Sequence, residues 1–110
     1  MNNYDRELLK GNTDTLLLSL LSHERMYGYQ IIKELNRRSG GYFTFKEGTL
    51  YPALHRLEGA GLVEARWEQL PGGQERRYYH ITEKGLQALR EKLGEWQGFS
   101  RAMNSIMAQP

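Results

Sequence analysis

The chain is 110 residues long, enough for one domain with a modest core, so a partner subunit is a natural expectation. With 39% hydrophobic and 25% charged residues, and no apolar run near the roughly 20 residues of a membrane span, the composition excludes a membrane-embedded or disordered chain. The absence of cysteine excludes disulfides, thiolate zinc sites, iron–sulfur clusters and cysteine nucleophiles, and a formal net charge of +2 permits a nucleic-acid partner without requiring one.

The opening Met1–Arg6 carries no basic region followed by an apolar stretch, so no secretory signal is expected and the cytoplasm is the expected compartment. Residues 4–11 set Tyr4 and Leu8 four apart with Leu9 beside them, a short helix closed by Gly11 that must dock on something. Asn12 or Thr13 offers an N-cap for a buried helix over 13–22, where Leu16, Leu17, Leu18, Leu20 and Leu21 follow almost without interruption. Residues 22–26 read as a turn. Tyr29, Ile31, Ile32 and Leu35 then fall at helical spacing opposite Gln30, Lys33, Arg37 and Arg38, an amphipathic helix over 27–38 stopped by Ser39-Gly40-Gly41.

Tyr42-Phe43-Thr44-Phe45 is extended, and Thr44 to Glu47 has capping-box spacing. Leu50, Leu54 and Leu57 predict a helix over 47–59. Pro52 is tolerable only where the first turn has no acceptor to lose, so this helix must start close to Gly48. Gly59-Ala60-Gly61 supplies a left-handed stop from which Leu62 folds back.

The period then changes to two. Val63, Ala65 and Trp67 alternate with Glu64, Arg66 and Glu68, which makes a half-buried strand; Leu70–Gln74 is turn chemistry and 76–81 the returning strand, with Trp67 and Tyr79 in the hairpin core. Arg76 and Arg77 point to opposite sides, so one is free for a phosphate while the other pairs with Glu64, Glu68 or Glu75. Thr82 caps a last helix along which Leu86, Leu89, Leu93, Trp96, Ser100, Met103 and Met107 form a heptad seam, with Ile106 beside it. Nothing in the chain is left to cover that seam, so a two-fold dimer is expected along Leu86, Leu89, Leu93, Trp96, Met103, Ile106 and Met107.

This order of elements predicts a mainly α fold with a small β-hairpin: a winged helix-turn-helix over 1–81 followed by a C-terminal dimerisation helix over 82–110, in one compact unit. In that architecture the helix at 47–59 enters the major groove and the hairpin, or wing, tracks the backbone or the minor groove of DNA. Between residues 37 and 56, Arg37, Arg38, Lys46 and Arg56 stand against Glu47 alone. The candidate DNA contacts are Lys46, Thr49, Tyr51, His55 and Arg56 on the helix, and Gly72, Gly73, Gln74, Arg76 and Arg77 on the wing. His23, His55 and His80 show no metal-ligand spacing, and no nucleophile elbow, phosphate loop or carboxylate pair is present, so no metal, cofactor or enzymatic activity is expected.

Tyr27-Gly28-Tyr29-Gln30-Ile31, Glu47 through Glu58 with Gly61-Leu62-Val63, Gly73 through Arg77 with Tyr78-Tyr79, and Thr82-Glu83-Lys84-Gly85 together resemble the signature of the PadR-like transcriptional regulators over nearly the whole chain. The resemblance implies a dimeric, bacterial, nucleoid-associated repressor that leaves a pseudo-palindromic operator when an effector binds. The single C-terminal helix is similar to the short subfamily, in which some members are multidrug sensors with a flat apolar pore at the dimer centre and a tryptophan pair that sandwiches aromatic ligands. By that resemblance Trp96 holds a small aromatic or lipophilic effector, with Leu8, Gly11, Asp14, Thr15, Leu18, Leu93, Phe99, Ser100 and Met103 around it. Gly94 and Gly98 depart from the pattern on the last helix, each at about 1 kcal/mol relative to alanine. Two alternatives stay open: a winged-helix adaptor that binds protein instead of DNA, and a repressor whose seam is packed shut with no effector.

Overall fold

The computed structural model describes residues 9 and 11–108. The helix expected over 4–11, and with it Leu8, lies outside the described residues except for Leu9, which is helical and buried, and Gly11. Four helices follow, α1 (Thr13–Leu21), α2 (Gly28–Arg38), α3 (Glu47–Gly59) and α4 (Glu83–Met107), with strands β1 (Met26–Tyr27), β2 (Val63–Gln69) and β3 (Glu75–Ile81). The strands form one antiparallel sheet in the order β1-β3-β2. The helices predicted over 13–22, 27–38 and 47–59 and from 82 onward, and the hairpin, are present, and the architecture is mostly helical with a small sheet.

Three local expectations change. Met26 and Tyr27 pair with Tyr79 and Tyr78, so the end of the predicted turn is a third strand, too short to show alternation in sequence. The N-cap of α3 is Lys46, whose extended backbone precedes the helix without a side-chain cap, so Thr44 forms no capping box. Instead the segment before α3 is tied back to α2: Phe45 N–H donates to Asn36 Oδ1 at 2.9 Å and Phe43 N–H to Ser39 Oγ at 3.0 Å. Pro52 is the sixth residue of α3, one turn past the position where its missing N–H would be harmless, and it leaves the Gly48 carbonyl without its helical donor.

The stop after α3 does follow the predicted chemistry. Gly61, at φ +76°, takes the left-handed turn, and Leu62 N–H reaches back to the Leu57 carbonyl at 3.0 Å while Gly61 N–H reaches Glu58. Thr82 locks this corner to α4: its Oγ1 donates to the Gly61 carbonyl at 2.7 Å and accepts from Gly85 N–H at 3.0 Å.

Leu17, Leu18, Leu20 and Leu21 of α1 fill the centre of the core, closed by Ile31 and Leu35 of α2, Leu50, Leu54 and Leu57 of α3, Phe45, Val63 and Tyr79. Leu89 belongs to this core as well. It is covered by its own chain and not by a second copy, so the open seam begins at Leu93. Trp67 departs from its predicted place more sharply. The burial alternation of β2 holds only as far as Arg66: the hairpin outruns the core, and a ring two residues beyond Ala65 lies past the edge of the packing at 64% exposure. At about 1.5 Å per residue the 25 residues of α4 span about 37 Å, and its second half leaves the body of the domain with Trp96, Phe99, Met103, Ile106 and Met107 exposed.

Candidate nucleic-acid interface and adjoining groove

The buried positions of α3, Leu50, Ala53, Leu54 and Leu57, occupy one face, which turns Thr49, Tyr51, Pro52, His55 and Arg56 outward. Three neighbours then hold the flanks of the helix. On one side Arg56 Nη2 donates to Asp14 Oδ1 of α1 at 2.6 Å. On the other, the Tyr51 ring lies over the start of α2, so close that a Cβ at Gly28 would sit 2.1 Å from the hydroxyl. Near the C-terminal end, Arg77 of the wing reaches Glu58 at 3.3 Å. Lys46, at the N-cap, is exposed and makes no ion pair among the described residues.

The charges of the predicted interface are therefore more engaged than their sequence suggests. Arg37 and Arg38 both pair with Glu34, which they hold below the usual carboxylate range. The two wing arginines also find other partners than predicted. Arg77 turns to Glu58 of α3, and Arg76 stacks its guanidinium 3.9 Å above the Tyr27 ring. Two of the three wing carboxylates are already taken: Glu64 by Arg66, and Glu68 by a bidentate contact from Arg25 at 2.5 and 2.8 Å that lowers its pKa. Burial pushes the Tyr79 hydroxyl up.

The tip of the wing is open. Leu70 accepts from Gly73 N–H at 3.0 Å across Pro71 and Gly72, and both glycines have positive φ, at +99° and +91°. Proline then positive-φ glycine is the chemistry of a type II turn. Gly72, Gly73 and Gln74 are all exposed.

A groove of about 630 Å³ runs between α1, the extended segment after α2 and α4. It is lined by Leu9, Asn12, Thr15, Leu16, Ser19, Tyr42, Phe43, Leu93, Trp96 and Phe99, and a smaller hollow beside it adds Gly11, Lys92 and Glu95. Of the residues predicted around an effector, Gly11, Thr15, Leu93, Trp96 and Phe99 meet here. Leu18 does not, because it is wholly buried in the core; Asp14 points instead to Arg56, and Ser100 and Met103 lie further along α4 outside the lining. Tyr42 and Phe43 were not anticipated in this wall. Their signal was two adjacent aromatics on an extended stretch, which must pack somewhere; their rings meet edge to face at 5.1 Å. No cluster of three potential metal ligands exists among the described residues.

The family model described as the transcriptional regulator PadR-like family matches residues 17–91, from α1 into α4. A transcriptional regulator of Mycobacterium tuberculosis is 33% identical over 86 residues, which is 78% of this chain and 77% of that protein. The crystal structure of a PadR-like transcriptional regulator from Bacillus cereus superposes with a TM-score of 0.85 at 34% identity, covering 94% of this chain and 99% of that one. Bacillus subtilis PadR, solved in complex with operator DNA, superposes with a TM-score of 0.66 at 26% identity, covering 74% of this chain and 46% of that one. The winged fold, the motifs on α2, α3 and the wing, and these likenesses place the chain in one family: it belongs to the PadR-like transcriptional regulators, and is not an enzyme.

Proposed function

We propose that this protein is a homodimeric repressor that grips an operator with α3 and the wing of each copy and leaves it when a flat apolar molecule fills the groove beside Trp96. The observation that carries the DNA part is the outward face of α3, with Lys46, Thr49, His55 and Arg56 exposed on a helix that the wing meets through Arg77 and Glu58. The operator complex of Bacillus subtilis PadR supports the same reading. Paired along α4 from Leu93 to Met107, two copies would set their α3 helices into successive major grooves about 34 Å apart. The groove supports the effector part, since its size falls in the ordinary range for small-molecule sites and its wall is mostly apolar and aromatic.

The test is fluorescence anisotropy of a labelled duplex from just upstream of the protein's own gene, titrated at two salt concentrations against random competitor. A repressor binds it tightly, resists competitor and loses affinity steeply with salt. Weak binding, equal for both DNAs, would remove the sequence-specific reading.

A further inference from the structure

The wing of this protein is poorly equipped to hold DNA by charge. Between Val63 and Ile81, Glu64, Glu68 and Glu75 balance Arg66, Arg76 and Arg77, and each of those arginines already has a partner in Glu64, Tyr27 or Glu58. What the wing exposes instead is the Trp67 ring, 64% open to solvent. A ring of this size left in water is apolar surface that a partner can cover.

Its direction is fixed by register. Trp67 stands directly opposite Arg77, so the two share a face of the sheet with Ala65 and Tyr79, and the Arg77 guanidinium lies 6.0 Å from the ring centroid. Arg77 in turn touches Glu58 on α3. The ring therefore lies on the face of the sheet from which Arg77 reaches the C-terminal end of α3.

We propose that Trp67 is the main contact of the wing with duplex DNA, its ring set against the sugar edges of the minor groove next to the major groove that α3 enters. This rests on the reading that the chain binds DNA. Three features support that occupant: the ring shares its sheet face with Arg77, which reaches α3, the open glycine turn lies beyond it, and the charges of the wing sum to zero with each arginine held by Glu64, Tyr27 or Glu58.

A contact of this kind is apolar, so its loss is independent of salt, whereas each phosphate contact changes the slope of log affinity against log salt by about 0.9. The experiment compares wild type, Trp67→Phe and Trp67→Ala by anisotropy on the upstream duplex at three salt concentrations, with melting and sedimentation of each protein. Expected are a roughly tenfold weaker Trp67→Ala at every salt with an unchanged slope, an intermediate Trp67→Phe, and unchanged melting and size. In Trp96→Phe protein, where Trp67 is the remaining tryptophan, duplex addition should change its emission. Wild-type affinity retained in Trp67→Ala would overturn the assignment while leaving DNA binding intact. A smaller species in sedimentation would assign the ring to contact between copies. A duplex bound by none of the proteins, wild type included, would overturn this inference and the reading beneath it together.

Discussion

Asp14 and Arg56 join two helices with different tasks: α1, which walls the groove through Thr15, Leu16 and Ser19, and α3, which turns its polar face outward. At 2.6 Å, with the arginine side chain 60% exposed, the pair is close but solvated, and such a pair contributes little stability. Its importance is positional, because any shift of α1 around a ligand carries Asp14 and so the guanidinium that it holds.

Asp14→Asn should therefore leave melting nearly unchanged while releasing the full charge of Arg56 to DNA. Affinity for a random duplex should rise, and the salt slope steepen by up to about 0.9. An unchanged slope in an anisotropy titration would show that Asp14 does not restrain Arg56.

Gly28 makes the opposite kind of contact, one with no space. Gly28→Ala puts a methyl group 2.1 Å from Tyr51 Oη and 2.7 Å from Cζ, so the ring must move off α2. The substitution should cost about 1–3 kcal/mol, as overpacking generally does. In a Tyr51→Ala background the same change should be close to neutral. Thermal melts of the four proteins in the cycle decide the matter, since additive losses would mean that the two residues do not meet.

Much of the fold was legible in the sequence because its devices are local: leucine spacing in α1 and α3, positive-φ glycine at Gly61, Thr82 at the start of α4. What was not legible depends on how far elements extend. Alternation placed Trp67 on the correct face but could not show that the hairpin outruns the core, and the heptad on α4 gave no sign that Leu89 is covered by its own chain. The exposed face of α3 and the glycine turn of the hairpin were legible as local features. The charges of the candidate interface were not, since the partners Asp14, Glu34, Glu58 and Tyr27 are brought to the arginines by folding.

Acid should weaken the edge of the sheet. The Arg25 hydrogen bonds, and next the charges of Arg25 and His80, hold Glu68 below its ordinary pKa, so its contribution is present above the unfolded value of about 4.3 and is lost as pH falls through the lower folded value. Glu68→Gln should melt below wild type at neutral pH, with the gap closing below about pH 4. A gap that stays constant down to acid pH would show that the Arg25–Glu68 pair is not its cause.

Ile106 is 82% exposed on the part of α4 that leaves the domain, beside Met103 and Met107. Ile106→Asp puts a charge into the proposed seam, and sedimentation should show the dimer giving way to a monomer with unchanged helix content by circular dichroism. Persistence of the same species would place the self-association surface elsewhere.

In the proposed complex, two α3 helices of one dimer enter successive major grooves of the operator. Hydroxyl-radical footprinting on the upstream duplex tests it most directly. Two protected patches are expected, related by a dyad and centred about 10 base pairs, one helical turn, apart. A single patch, or protection without dyad symmetry, would contradict it.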